Sequence, residues 1–312
     1  MTKTGVRTLE IASNQSGRRL DNFLTSILKN VPKSFIYKII RRGEVRVNGS
    51  RTRPERKLLE NDLVRIPPLM ESLPSRRIIS TAKRTLVDKA IVYEDNKILV
   101  LNKPAGIAVH GGSGLRYGAI DIVRELRPQS PDIELAHRLD RDTSGCLVFA
   151  KDYRTLRQIQ TQILDPGCRK TYVTLLSGEF PRACQLVELR LATSRAEGEK
   201  ITIVSKDGKP ATTEFKTIET FDDLSLVEVR IFTGRTHQIR VHGAAAGHPI
   251  AGDRKYGDSL LNAKLHKRGL HRMFLHAGSI TLRLGESLEE ITVQAPLPKQ
   301  LQEFLTELRC AN

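Results

Sequence analysis

From about residue 88 onward the apolar residues come in short runs set apart by turn formers, and few runs are separated by enough chain for a crossover helix. Ile91-Val92-Tyr93 and Ile98-Leu99-Val100-Leu101 flank Glu94-Asp95-Asn96-Lys97, the spacing of a hairpin. Cys146-Leu147-Val148-Phe149-Ala150 is apolar throughout, as a fully buried strand would be. More strands are predicted at about 170–177, 201–205, 211–219 and 224–232. Thr155 to Leu164 reads as a helix, and another runs from about His237 to Ala246 before Gly247 stops it. Parallel neighbours need long crossovers, which are scarce here. The predicted fold is therefore α+β, with a mixed, mainly antiparallel central sheet within residues 88–312.

The first quarter has another pattern. Leu20, Phe23, Leu24, Ile27 and Leu28 recur as one helical stripe, and Pro32 is placed to end that helix. Ser34 is placed to cap a second helix running through Tyr37 and Ile40 to Gly43. Glu44-Val45-Arg46-Val47-Asn48-Gly49 reads as a strand entering an Asn-Gly hairpin turn, and Asp62-Leu63-Val64-Arg65-Ile66 as a further strand. Residues 16–70 thus predict a small α/β module behind a tail at 1–15. Residues 71–87 lose periodicity, carry Pro74, Arg76, Arg77, Lys83 and Arg84, and read as a basic linker.

The formal net charge is +16; residues 1–85 hold 19 Lys or Arg against 7 Asp or Glu, which concentrates most of that charge in this stretch. Such a balance asks for an anionic partner, nucleic acid before acidic membrane. Lys33, Lys38, Arg41, Arg42 and Arg46 gather where the second helix meets the hairpin, a row suited to gripping phosphates along an RNA backbone. Arg19-Leu20-Asp21 through Arg46-Val47-Asn48-Gly49 resembles an S4 RNA-binding domain. No run approaches the ~20 apolar residues of a membrane helix, so no membrane association is expected. The N-terminal residues lack the apolar core of a secretory signal, and the four cysteines include no Cys-x-x-Cys pair. A reducing cytoplasm is the expected location. No motif suggests an oligomer, which leaves a monomer as the default.

The segment Ala136-His137-Arg138-Leu139-Asp140-Arg141-Asp142-Thr143-Ser144-Gly145 packs charge directly ahead of the apolar run at 146–150. A solvated loop of ordinary ion pairs is one reading. Tethering between apolar elements favours another, in which some charges are partly desolvated, need partners and belong to a site. His137-Arg138-Leu139-Asp140 with Thr143-Ser144-Gly145 resembles the active-site motif of the large-subunit ribosomal branch of the pseudouridine synthases. Four more blocks agree in order: Leu101-Asn102-Lys103-Pro104-Ala105-Gly106 with Val109-His110, Lys170-Thr171-Tyr172, Gly234-Arg235-Thr236-His237-Gln238-Ile239-Arg240-Val241-His242, and Gly247-His248-Pro249-Ile250-Ala251-Gly252-Asp253. His137 distinguishes this branch from the small-subunit one, which carries Gly there. With the S4-like module the resemblance covers nearly the whole chain.

The resemblance implies an isomerase acting on uridines of large-subunit ribosomal RNA, as free RNA or within an assembly intermediate. The reaction oxidises and hydrolyses nothing, so no cofactor and no metal is expected. By resemblance Asp140 is the catalytic carboxylate, able to attack carbon and later leave or to stabilise and deprotonate a sugar intermediate; Asp142, outside the matching position, reads as structural. Arg240 matches the family's Arg partner, though phosphate binding is an alternative. Tyr172 stands where the family has an active-site Tyr, to stack on the flipped uracil and help remove the C5 proton. Arg138 resembles the Arg that fills the vacated base stack, and a phosphate anchor is equally compatible with it. Arg235 is a candidate phosphate contact.

Other chemistries find less support. There is no phosphate-binding Gly-rich loop and no dinucleotide fingerprint, which leaves ATP and NAD without a site. His237 and His242 lie five apart with no accompanying Glu of a metalloprotease helix, so His237, His242 and His248 read as structural. A glycosidase would need a second catalytic carboxylate and usually aromatic platforms, against no Trp and 5% aromatics. A non-catalytic S4-type RNA-binding or ribosome-assembly protein would be expected with the Asp140, Tyr172 or Arg240 blocks degraded, and they are intact.

Overall fold

A computed structural model describes residues 2–3, 5–28, 31–71, 79–111, 117–165, 168–196, 199–284 and 289–311. In the first quarter, β1 (Thr2–Lys3) is followed by β2 (Arg7–Glu10), α1 (Leu20–Ile27), α2 (Lys33–Arg41), β3 (Arg46–Val47), β4 (Ser50–Arg51), β5 (Leu63–Ile66) and β6 (Met70–Glu71). Asn48 and Gly49 both take positive φ (50° and 75°), the two-residue turn that an Asn-Gly pair favours between twisted strands. Leu20, Phe23 and Leu24 of α1 meet Ile36, Ile39 and Ile40 of α2 over Val45, Val47 and Val64 in one small core.

Several expectations need correction here. Residues 7–10, expected within a tail, form a strand against β5, and Ile11 is fully buried. Four residues of β2 alternate without an apolar majority, so nothing in their pattern announced the pairing. Ile27 lies on the exposed side of α1, which ends at Ile27 with Leu28 as its cap, before Pro32. Pro32, and not Ser34, is the N-cap of α2. The linker expected at 71–87 contains α3 (Thr81–Lys89), opened by Ser80, whose side chain accepts from the Lys83 amide. Only Val87 of α3 is buried, which explains why its sequence lacks a stripe. Residues 72–78, with Pro74, Arg76 and Arg77, lie outside the described residues.

The remaining elements are β7 (Ile91–Glu94), β8 (Ile98–Lys103), α4 (Ala119–Leu126), β9 (Glu134–Leu135), β10 (Ser144–Ala150), α5 (Tyr153–Ile163), β11 (Lys170–Ser177), β12 (Gln185–Ala196), β13 (Glu199–Val204), β14 (Lys209–Phe221), β15 (Leu224–Ile231), α6 (Gln238–Ala245), α7 (Ser259–Lys267), β16 (Leu275–Leu284), β17 (Glu289–Gln294) and α8 (Lys299–Ala311). Among the described residues the strands form one eleven-stranded sheet, ordered β13-β12-β14-β15-β11-β16-β10-β8-β7, with β17 beside β16 and β9 beside β10. Only the β10–β16 pairing is parallel; the sheet is mixed and mainly antiparallel, as its sequence pattern predicts. Helix α4, strands β9 and β12 and the elements beyond residue 247 were not among the expected ones.

Strand β10 is buried along its whole length. Leu147 and Phe149 face one core with Leu99, Leu101, Tyr172 and Val229, while Cys146 and Val148 face another with Leu156 and Ile159 of α5. Two buried faces explain why its sequence shows no polar alternation. The register lines up Lys103, Gly145, Ala277, Tyr172 and Val229 across five adjacent strands. Tyr172 therefore lies two strands from Gly145, roughly 10 Å in a sheet of ordinary spacing. The N-terminal module seats on this unit through Arg18, which lies 5.7 Å from the Tyr153 ring and 3.8 Å from Glu134, and through Tyr153 Oη, which donates to the Gly17 carbonyl at 3.2 Å.

Gly145 has φ +110°, and a Cβ there would stand 2.1 Å from the Ala277 carbonyl oxygen. A side chain must part β10 from β16. Gly145→Ala is expected to destabilise the fold by about 3 kcal/mol, read as a lower urea midpoint in equilibrium unfolding.

Candidate active site

The loop before β10 is shaped by its own backbone needs. Ala136 N–H still donates to Val148 O (3.0 Å), after which the loop leaves the strand. His137 takes over one vacated position: its Nε2 accepts the Val148 N–H at 3.1 Å. Burial depresses the His137 pKa to about 4, so it is a neutral acceptor at pH 7. Asp140 then opens a turn in which its carbonyl accepts from Thr143 N–H (3.2 Å).

The next carbonyls are pinned in turn. Arg141 O accepts from Gly106 N–H (2.8 Å) and from Lys103 Nζ (3.0 Å). Lys103 is fully buried and also donates to Pro104 O and Ile107 O, both at 2.9 Å. Burial first, then the charge of Arg272, brings its pKa down to about 7, against the pull of Asp142 and Asp140. Arg272 donates to Asp142 O (3.2 Å) and Ser144 Oγ (2.9 Å), and Ser144 Oγ meets His276 Nδ1 at 2.9 Å.

Asp140 faces the start of α6. Its Oδ2 lies 3.2 Å from Arg240 Nη1 and 3.7 Å from His237 Nε2. Arg240 is itself held: its Nε and Nη2 donate to Asp253 Oδ2 and Oδ1 at 2.7 and 2.9 Å, a two-point fork. Burial alone would raise the Asp253 pKa, but Arg240 and the amides of Lys255 and Tyr256 outweigh it and hold the carboxyl below its ordinary range. The same pairing outweighs the burial of Arg240 and raises its pKa.

His237 is the N-cap of α6 and adopts φ +54°, a left-handed conformation rare outside glycine but tolerated by His. Tyr256 Oη accepts from the Thr202 amide (2.9 Å), which leaves its own hydrogen for His237 Nδ1 at 2.7 Å. That assignment puts the imidazole hydrogen of His237 on Nε2, toward Asp140. Burial lowers the His237 pKa, and Arg240 and Lys255 add to this against the attraction of Asp140. The turn leading to α6 is organised by Gln238, whose buried side-chain oxygen accepts from Arg235 N–H (3.0 Å) and Thr233 Oγ1 (2.7 Å).

Tyr172 lines the same cleft as Asp140, Arg240, Arg138 and Arg235, in about 80 Å³. Burial, with the charge of Asp140 second, raises the Tyr172 pKa well above that of a free phenol. Arg138 is exposed at the mouth, and Arg235 is half-buried with Nε donating to Pro210 O at 3.1 Å. Lys33, Lys38, Arg41, Arg42 and Arg46 are not in this cleft; they stand exposed on the N-terminal module.

His237 was read as structural, yet it faces Asp140 beside Arg240; a positive-φ His at a helix start is not visible as residue spacing. Asp253 and Lys103 lie in quoted blocks, but nothing in their local pattern says that one holds Arg240 and the other the Asp140 loop. Tyr256 carried no signal at all.

Residues 97–245 match the family described as RNA pseudouridylate synthase, and residues 18–64 match the S4 domain. The chain is 46% identical over 307 residues to the ribosomal large subunit pseudouridine synthase C of Pasteurella multocida (strain Pm70), covering 97% of this chain and 94% of that protein. It is 44% identical over 316 residues to the protein of that name from Vibrio vulnificus (strain CMCP6), covering 99% of each. Among solved structures, Human RNA Pseudouridylate Synthase Domain Containing 4 superposes with a TM-score of 0.61 at 25% identity, over 73% of this chain and 96% of that one.

Asp253→Asn is expected to lower stability at pH 7 by about 3 kcal/mol, because Arg240 loses its fork. Folded Asp253 takes a proton less readily than the unfolded chain does. Its contribution is therefore complete above about pH 4 and is lost as pH falls through the depressed value. Urea unfolding should accordingly show the gap between wild type and Asp253→Asn narrowing toward pH 3.

Proposed function

The chain belongs to the RNA pseudouridylate synthase family, and from that premise we propose that it isomerises uridines of large-subunit ribosomal RNA, with Asp140 as the catalytic carboxylate. One observation carries this reading: Asp140 and Tyr172 share a cleft, and the only described guanidinium bonded to Asp140 is itself clamped by a buried carboxylate. A carboxylate whose Oδ2 is held by a fixed guanidinium is preorganised for an encounter with a sugar or base carbon.

The reaction breaks the C1′–N1 bond, joins C1′ to C5, moves the C5 proton off the base and leaves N1 protonated. Asp140 supplies the nucleophile or the stabilising charge for the detached sugar. Arg240 and His237 Nε2–H orient its Oδ2 and balance its charge. Tyr172 enters as a protonated phenol, so it stacks on the uracil; taking the C5 proton requires it to pass its own on in the same step. Asp140, across the same cleft, is a carboxylate able to receive it. The target must leave its stack to reach this cleft, and Arg138 at the mouth fills the space behind it. Arg235 contacts phosphate at the rim.

The S4 module supplies backbone affinity through Lys33, Lys38, Arg41, Arg42 and Arg46, all exposed. Among the described residues no helix is long and apolar enough to cross a membrane. The described cysteines are free thiols, in keeping with a reducing compartment; we take the protein to act in the cytoplasm as a monomer.

Purified protein incubated with protein-free large-subunit RNA should form pseudouridine, mapped chemically. Asp140→Asn should lower the rate by at least about 10³-fold while still binding RNA. Equal product from Asp140→Asn, or none from wild type, overturns the reading. The combined change of Lys38, Arg41 and Arg42 to Ala should leave the rate at saturating RNA intact. It should reduce the slope of log affinity against log salt by about 2.

A further inference from the structure

Arg138, Tyr172, Ile231 and Gly234 line the Asp140 cleft from one side, and on their other side they line a second, open groove of about 740 Å³. Its far wall is α5. Arg157, Gln160, Thr161 and Leu164 fall at i, i+3, i+4 and i+7, one face of the helix line, while Leu156 and Ile159 turn into the core. Leu164 closes the stripe with 75% of its surface exposed. A single exposed Leu needs no explanation by itself. Here it stands in a concave wall beside an amide, a hydroxyl and two exposed Arg side chains. Lys170 at the base is already engaged, donating to Ile163 O at 2.8 Å. Asp165 is an acidic member of the wall.

Three features indicate RNA as the occupant. The groove shares walls with the target cleft, so chain leaving the target nucleotide meets it first. It is about nine times larger than that cleft, room for a nucleotide and not for a base alone. Helix α5 also begins at Tyr153, where the S4 module is seated, so the helix runs from the RNA-binding module to the cleft. Extruding a uridine strips its neighbours of a stacking partner, and an unstacked base gains by lying on an apolar or guanidinium surface.

We propose that this groove is a second nucleotide-binding site, which takes the nucleotide adjacent to the target uridine. Its base lies on Leu164, the Gln160 amide and Thr161 hydroxyl read its edge, and Arg157 holds the flanking phosphate. The site rests on the reading that the Asp140 cleft takes the uridine, and it adds sequence preference that the S4 contacts to phosphate do not supply.

The test uses short RNA stem-loops around each uridine the full-length enzyme modifies, intact or with an abasic nucleotide on the 5′ or the 3′ side of the target. Wild type should lose about tenfold in kcat/KM with the abasic site on one of the two sides. The double variant Gln160→Ala, Leu164→Ala should lose a similar factor on intact RNA and nothing more on the abasic one, with its thermal midpoint unchanged. Equal abasic penalties in wild type and variant, or no penalty in wild type on either side, overturn the proposal. Absence of pseudouridine from wild type on intact RNA would instead overturn the function on which it rests.

Discussion

Arg240 stands between two carboxylates, and most of the site depends on that placement. Its fork is spent on Asp253, which is 1% exposed, and its remaining Nη1 is left for Asp140. A guanidinium can do this because its donors are fixed in one plane; an ammonium could neutralise one carboxylate but could not fix the direction of a second. The three residues come from the loop before β10, from α6 and from the turn between α6 and α7, and Asp140 stands 100 residues from Arg240. Their meeting ties the loop, the helix and the turn into one unit.

The Asp140 loop is held independently from below. Lys103 and Gly106 fix the Arg141 carbonyl, Arg272 fixes that of Asp142, and Thr143 closes the turn on Asp140 itself. A buried Lys with three carbonyl partners sacrifices hydration for position, which explains the fall of its pKa toward neutrality. The result is an Asp140 side chain with little backbone freedom, in a cleft that Tyr172 also lines. Helix α5 extends the same surface outward, so the small Asp140 cleft and the larger groove share their dividing residues.

Much of this was legible in residue order. The short apolar runs gave the antiparallel sheet, and the doubly buried β10 read correctly because its five apolar residues admit no solvent face. Asp140, Tyr172 and Arg240 were named from their blocks, and the fold brings all three to one cleft. Less was legible wherever an element is short or covered on only one side. Strand β2 has four residues, α3 buries only Val87, and neither carries a period long enough to recognise.

By itself the sequence determined the sheet class and the basic N-terminal module, because these follow from local periodicity and charge, and its motif blocks carried the family resemblance that named Asp140, Tyr172 and Arg240. Only the tertiary structure decided that Asp253 holds Arg240, that Tyr256 orients His237 toward Asp140, and that Lys103 supports the Asp140 loop. Each of those joins residues from different elements, 13, 19 and 38 positions apart, and is set by packing and by the need to pair every buried charge and hydrogen-bonding group. Local sequence carries no record of which partner satisfies which group; the packed chain supplies it.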